Sequence, residues 1–182
     1  TIRYTEKADV PSPVRGSPDA YPAITAAIAA CHKAGGGRVV IPKGDWYVAG
    51  PIVLRSNVHV YLAAGAHVYF SANPADFAKY GDIDCGPNGK LSISRWQGND
   101  VLNYSPLVYA YGQTNIALTG EDWTSVLNGQ GGVPFENGEG CWWDWKGRHN
   151  KGSVQTEIAV NERNPKSMSE VAPNLPAHDR EM

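Results

Sequence analysis

The stretch GPIVLRSNVHVYLAAGAHVYF, Gly50 to Phe70, decides how the chain is read. It holds three short β-rich runs, Ile52–Leu54, Val58–Leu62 and His67–Phe70, separated by Ser56-Asn57 and by Gly65. It can be laid on SPLVYAYGQTNIALTGEDWTSVLNG, Ser105 to Gly129. Pro51-Ile52-Val53 then faces Pro106-Leu107-Val108, Asn57-Val58-His59-Val60 faces Asn115-Ile116-Ala117-Leu118, and Gly65 faces Gly120. Strand, turn, strand, turn, strand recur in one order, which is the pattern of successive coils in a parallel β-solenoid. Each coil lends short strands to its neighbours, and stacked apolar side chains fill the interior. The runs are too short for a sandwich of long strands. A hairpin-built barrel is the competing architecture, but no Asn-Gly or Asp-Gly joins adjacent strands where a two-residue turn would be needed. Asn128-Gly129 leads instead into a glycine-rich loop.

Upstream, Arg38–Ile41 and Trp46–Val48 continue the β pieces toward the N-terminus, with Gly44 and Gly50 between them. Before them the period changes. Ile24, Ala27, Ile28 and Cys31 recur at helical spacing, so a helix is expected over residues 19–34. Pro22 is tolerated in a first turn, His32 and Lys33 suit a last turn, and Gly35–Gly37 stops the helix. The expected organisation is therefore one domain: a lead-in over 1–18, a capping helix over 19–34, coils over 38–129, and a loop-rich tail over 130–182. Residues 71–104 read as a long loop leaving the coils, and GSVQTEIAV, Gly152 to Val160, is the one strand-like run of the tail. Loops of such length carry function or lack order.

Composition supports a folded domain, since 42% of the 182 residues are hydrophobic and 19% charged. Gly 20 and Pro 13 suit many turns between short strands. A net charge of -2 argues against a nucleic-acid binder, and no apolar run approaches the roughly 20 residues that span a bilayer. The chain starts at Thr1, so it reads as processed or trimmed, and a removed export signal would not be visible. Three cysteines leave two readings open, a Cys85–Cys141 disulfide with Cys31 free, or three unpaired thiols. No metal or cofactor is expected. The five histidines lack zinc-ligand spacing, GGGR at Gly35 follows a helix instead of preceding one, and there is no serine nucleophile elbow.

GCWWDWKGRHNKG, Gly140 to Gly152, concentrates Trp142, Trp143 and Trp145 beside Lys146 and Arg148, and Arg95-Trp96 repeats the pairing of cation with indole. The alternative use of these tryptophans is to anchor a long loop on the coils, and at least one is expected to do so.

Several segments together resemble the polygalacturonase family of glycoside hydrolases, family 28, and most of all its bacterial, exo-acting branch. They are GGGRVVIPKGDWYVAGPIVLRSNVHVYLAAGAHVYFSANPADF, SRWQGND, NYSPLVYAYGQTNIALTG, LNGQG and WWDWKG, in that order, covering about Asp19 to Arg148. The resemblance implies an all-β, right-handed parallel β-helix whose N-terminal end is closed by a helix. It also implies inverting hydrolysis of α-linked galacturonan by aspartates on one parallel sheet. The family signatures for that chemistry are Asn-Thr-Asp, Asp-Asp, Gly-His-Gly and Arg-Ile-Lys, and none occurs here. No catalytic residue is therefore assigned, and the expectation is an N-terminal portion holding the first coils only.

An inverting glycosidase independently needs two carboxyl groups about 6.5–9.5 Å apart. Asp82-x-Asp84 is the only Asp-x-Asp, and Glu136, Glu139 and Asp144 sit near the tryptophans in a loop, so ordinary surface roles are expected for all five. For a uronan the tryptophan cluster has a use. The C–H face of a sugar packs on an aromatic ring, and Arg or Lys reads the uronate carboxylate. Arg95, Trp96, Trp142, Trp143, Trp145, Lys146 and Arg148 are the expected substrate-binding residues. Galacturonan and rhamnogalacturonan both fit, in a secreted or periplasmic setting implied by the resemblance. Two other classes share these features, a non-catalytic solenoid that binds acidic polysaccharide and a structural or adhesive one. An open last coil leads to an expectation of self-association, or of cover by the tail or by a missing C-terminal half.

Overall fold

A computed structural model describes residues 17–84, 89–96, 99–135 and 140–142, with the side chains of 93–96 and 99–103 not described. The chain forms a helix followed by three coils of a right-handed parallel β-helix.

Helix α1 runs Tyr21–Lys33, slightly shorter than the stretch expected, with Pro22 in its first turn and His32 and Lys33 in its last. Ala20 offers no capping side chain. Asp19 ties the entry down instead, its Oδ1 accepting from the Tyr21 amide at 2.9 Å and from the Ala49 amide of the first coil at 3.0 Å. Ile24 and Ile28 are buried, Cys31 is half-buried and Ala27 is exposed, so the apolar stripe is narrower than the spacing predicts. The helix covers the first coil, as the expected cap requires. At its exit a Cβ on Gly36 would stand 2.4 Å from the Asn57 carbonyl oxygen, and the backbone there has φ +118°, so only glycine fits.

The first coil contributes β1 (Gly37–Ile41) and β2 (Gly44–Val48), the second β3 (Ile52–Val53), β4 (Val58–Leu62) and β5 (Ala66–Phe70). The third contributes β9 (Val108–Tyr109), β10 (Ala117–Gly120) and β11 (Val126–Asn128). Every pairing between coils is parallel: β1-β4-β10, β2-β5-β11 and β3-β9. Alternation puts Val58, Val60 and Leu62 of β4 and Ala66, Val68 and Phe70 of β5 inside, where with Ile41, Val48, Ile52 and Leu54 they form the core.

The alignment of the two repeats holds at β4 and β10, where His59 pairs Ala117 and Val60 pairs Leu118. It is one residue out at β3 and β9. Ile52 pairs Val108, not Leu107, and Val53 pairs Tyr109. A slip of one residue exchanges the two faces of a strand. The Gly65–Gly120 equivalence also fails, since Gly120 pairs Leu62 and the Gly65 amide donates to Thr124 Oγ1 at 2.7 Å.

Residues 71–104, expected as a loop, contain regular structure. Helix α2 (Pro74–Phe77) is capped by Asn73, whose Oδ1 accepts from the Ala75 amide at 3.0 Å, and it buries Phe77. Strands β6 (Ile83–Asp84), β7 (Lys90–Trp96) and β8 (Asn99–Asn103) form an antiparallel sheet in which Ser92 faces Asn103 and Trp96 faces Asn99. This corrects the reading of SRWQGND as loop and of Asp82-x-Asp84 as irregular. Leu91 and Ser92 are both buried in this sheet, so the run Leu91-Ser92-Ile93-Ser94 lacks the apolar-in, polar-out contrast by which a strand is read from sequence. A Cβ on Gly81 would lie 2.3 Å from the backbone of Leu91, so this excursion is closely packed on itself.

Candidate functional site

The outward face of β2-β5-β11 is the surface that the longest connections flank. The inward set on β5 is Ala66, Val68 and Phe70, so His67 and Tyr69 stand on its other face. Register sets Asp45 beside His67 and Tyr47 beside Tyr69, with Val126 and Asn128 on the other side. His67 Nδ1 lies 2.8 Å from Asp45 Oδ1, and its ring meets Tyr69 edge-on at 6.4 Å. Tyr69 is only 2% exposed although it lies on this face. Burial first, and then the Asp45 charge, pushes its phenol above the usual value.

On the side where β5 ends, the face is bounded by the excursion and by the loop after Asn128. Gln130 has positive φ, is buried, and donates from Nε2 to the Phe70 carbonyl. Trp142 packs edge-on against Phe77 at 5.7 Å and Phe135 at 5.2 Å, and its Nε1 donates to the Ser71 carbonyl at 3.3 Å. It touches the core, and its indole N–H is spent on backbone. Trp142 therefore anchors its loop to the second coil. Trp143, Trp145, Lys146 and Arg148 lie outside the described residues, as do Glu136, Glu139, Asp144 and Cys85. Arg95 and Trp96 fall at the end of β7, opposite Asp100 and Asn99.

On the other side the face is bounded by two stacked turns, Ala63–Gly65 and Glu121–Ser125. Trp123, at the second of these, is 90% exposed. The sequence reading passed over it, because it stands alone where the other tryptophans cluster. Its signal was there, an indole inside the polar run Glu121-Asp122-Trp123-Thr124 with no apolar partner at strand spacing.

Apart from Asp45, which pairs with His67 on the outward face, the carboxylates with described bonds named below are committed to the scaffold. Asp19 holds α1, Asp76 accepts from Ser71 Oγ at 2.7 Å and Lys79 at 2.8 Å, and Glu121 accepts from the Ala64 amide at 2.8 Å. Asp122 accepts from the Thr124 amide and hydroxyl at 2.7 and 2.5 Å, bonds that hold its carboxyl below the usual range. Asp82 accepts from the Tyr109 hydroxyl at 2.8 Å, which ties the excursion to the third coil. Burial, then this bond, pushes the Tyr109 phenol up to about 12. Among the described residues no group of His, Cys, Asp and Glu could hold a metal ion, and no helix is long and apolar enough to cross a membrane.

No family model matches the chain, and no curated protein matches its sequence. Solved structures do match. A hyperthermoactive exopolygalacturonase from Thermotoga maritima superposes on 91% of this chain with 28% identity and a TM-score of 0.59. The fold is glycoside-hydrolase-like. The chain spans 32% of that enzyme's length. A candidate glycosyl hydrolase from Parabacteroides merdae, 24% identical, covers 58% of this chain at a TM-score of 0.41.

Proposed function

We propose that this chain forms the first coils and part of the cleft wall of a glycoside hydrolase that cleaves α-linked galacturonan with inversion, and that it binds the polymer without cutting it. The likeness to an exopolygalacturonase over 91% of the chain carries the reading. The geometry supports it in two ways. The β2-β5-β11 face lies between two built walls, as an extended polymer would need. Apart from Asp45, which pairs with His67 on that face, the described acids with assigned bonds each hold a turn, a helix start or a tether, which leaves them unsuited to the paired acid and base of inversion.

Trp143, Trp145, Lys146, Arg148, Arg95 and Trp96 remain the proposed uronan contacts, with Trp142 as their anchor. The secreted or periplasmic setting belongs to the same proposal.

The test is reducing-end release from de-esterified polygalacturonate by the 182-residue chain, run beside retention on immobilised polygalacturonate. Retention without release is expected. Release above a blank would overturn the non-catalytic assignment, and absence of retention would overturn uronan binding.

A further inference from the structure

The outward face of β1-β4-β10 is a different surface from the β2-β5-β11 face, and it carries a side-chain cluster of its own. Val39 and Ile41 of β1, Val58, Val60 and Leu62 of β4, and Leu118 of β10 turn inward to the core. Arg38 and Val40, His59 and Tyr61, and Ala117 and Thr119 therefore turn outward, in the rungs Arg38–His59–Ala117 and Val40–Tyr61–Thr119. The Arg38 guanidinium lies over the Tyr61 ring, 4.8 Å from its centroid. The His59 ring meets Tyr61 edge-on at 5.8 Å, and its Nε2 lies 2.7 Å from Thr119 Oγ1. His59 and Tyr61 belong to the middle coil, so described strands flank them on both sides. Among the described residues Arg38 enters no ion pair and gives no hydrogen bond, and the Tyr61 hydroxyl has no partner.

An arginine steadied by a ring face and not by a carboxylate keeps its fork of N–H donors for another acceptor. Resting on the uronan reading above, we propose that this face is a second uronan site, where the Arg38 fork takes the carboxylate of a galacturonate residue. A planar fork matches a carboxylate with two parallel hydrogen bonds. The Tyr61 hydroxyl and His59 Nδ1 stand beside it for sugar hydroxyls, and Val40, 53% exposed, offers apolar surface to a C–H face. Charge selects an anionic ring. None of the outward positions on the three strands is acidic, whereas Lys33 and Arg55 precede β1 and β4. At the opposite margin Glu121 and Asp122 follow the end of β10, and Lys43 follows β1 with its stem against Gly65. Glu121 comes four residues after Ala117 of the Arg38 rung. That is about 13 Å along the chain, more than the Debye length of about 8 Å, so the acids at that margin are screened from the fork.

The experiment uses the full 182-residue chain carrying nitrogen-15 arginine and follows the Arg38 Nε–H resonance, assigned by its loss in Arg38→Gln. Free trigalacturonide, its methyl ester and sodium sulfate are titrated in turn at matched ionic strength. Retention on immobilised polygalacturonate is measured on the same sample. The free acid is expected to move the Arg38 resonance at severalfold lower concentration than the ester or sulfate, and less so as salt is raised. In Arg38→Gln, followed through the His59 ring resonances, the half-saturating concentration of free acid should rise about threefold to fivefold, the scale of an exposed ion pair. An equal response to the ester overturns the reading of the carboxylate by Arg38. An equal response to sulfate shows an adventitious anion site only and overturns the proposal as well. A resonance that stays still while polygalacturonate is retained overturns the second site and leaves the uronan reading of the first intact. Failure of retention together with a still resonance strikes the uronan reading itself, and this proposal with it.

Discussion

Asn115 Nδ2 donates to Asn57 Oδ1 at 2.9 Å, one coil above the other. Both residues turn the chain with positive φ, +65° at Asn57 and +53° at Asn115. Asparagine enters this left-handed region more easily than other side chains, and its amide can both give and take a hydrogen bond. The same residue type therefore shapes the corner and joins it to the next one. Around it Gln113 Oε1 accepts from the Ser56 amide at 2.8 Å and the Thr114 amide donates to Ser56 Oγ at 3.0 Å. The corner fixes the register of β4 on β10.

Asn57→Ala should destabilise the chain by about 2 kcal/mol, part from forcing alanine to positive φ and part from the lost bond. Asn57→Gly should recover the backbone part and lose only the bond. Urea unfolding followed by circular dichroism separates them. Equal losses for the two variants would show that the backbone conformation carries no cost.

Trp142→Ala should cost about 3 kcal/mol or more, because it empties an aromatic site between Phe77 and Phe135 and frees the Ser71 carbonyl. Trp142→Phe should cost less, since a ring remains. Thermal melting gives the order. A Trp142→Ala chain as stable as the parent would remove Trp142 from its anchoring role and return it to the pool of substrate contacts.

Tyr109 sets an alkaline limit. Its phenol is raised from the usual 10.0 to about 12, so the neutral form is favoured in the folded chain. The stability it carries is complete below pH 10 and is lost as pH rises toward 12. Absorbance at 295 nm should show one tyrosine titrating near 12, and Tyr109→Phe should remove that step. Asp82→Asn should move the step down, because the hydrogen bond to Asp82 contributes to the shift. An unchanged titration in Tyr109→Phe would dissolve the tether between excursion and coil.

The elements that read most clearly were those whose signal is local. Ile24 and Ile28 at helical spacing gave α1, and the glycines after it gave its end. Asn57 and Asn115 gave the register at one corner because the left-handed turn admits few residues. The match of Pro51 to Pro106 misled, because it rested on sequence likeness and not on which side chain faces inward. Ile52 is buried and Tyr109 must stand on the other face to reach Asp82, which forces the shift of one residue. The hairpin of β7 and β8 escaped because neither strand is strongly apolar. Of the site, the clustered tryptophans drew attention by number, whereas Trp123 is made notable by exposure on a fixed backbone. Exposure is a tertiary quantity, to which the polar neighbours of Trp123 pointed without fixing it.

Thr124 and Ser125 give a graded test of how the Trp123 turn is held. The Ser125 hydroxyl can donate to only one of two carbonyls at a time, and each of those carbonyls has another donor. Leu62 O also takes the Glu121 amide at 2.9 Å, and Ala63 O the Ala66 amide at 3.0 Å. Ser125→Ala thus leaves no carbonyl unpaired, though it removes the oxygen that accepts from the Glu121 and Asp122 amides at 3.1 and 3.5 Å, and it should cost about 1 kcal/mol. Thr124→Val is different, since it removes the acceptor of the Gly65 amide and one of the donors to Asp122. Loss of the Gly65 acceptor should cost about 2 kcal/mol, and the Asp122 carboxyl should rise toward its ordinary 3.8. The sign follows from the depressed carboxyl. Its contribution is present above pH 3.8 and fades as pH falls below that value, so the deficit of Thr124→Val should narrow in acid. Carboxyl carbon shifts followed by NMR against pH, together with urea melts at neutral and acid pH, check both halves. A larger loss for Ser125→Ala than for Thr124→Val would mean that the turn hangs on Ser125 Oγ, which takes the Glu121 and Asp122 amides and reaches the Leu62 and Ala63 carbonyls, and that the Gly65 amide is satisfied without Thr124.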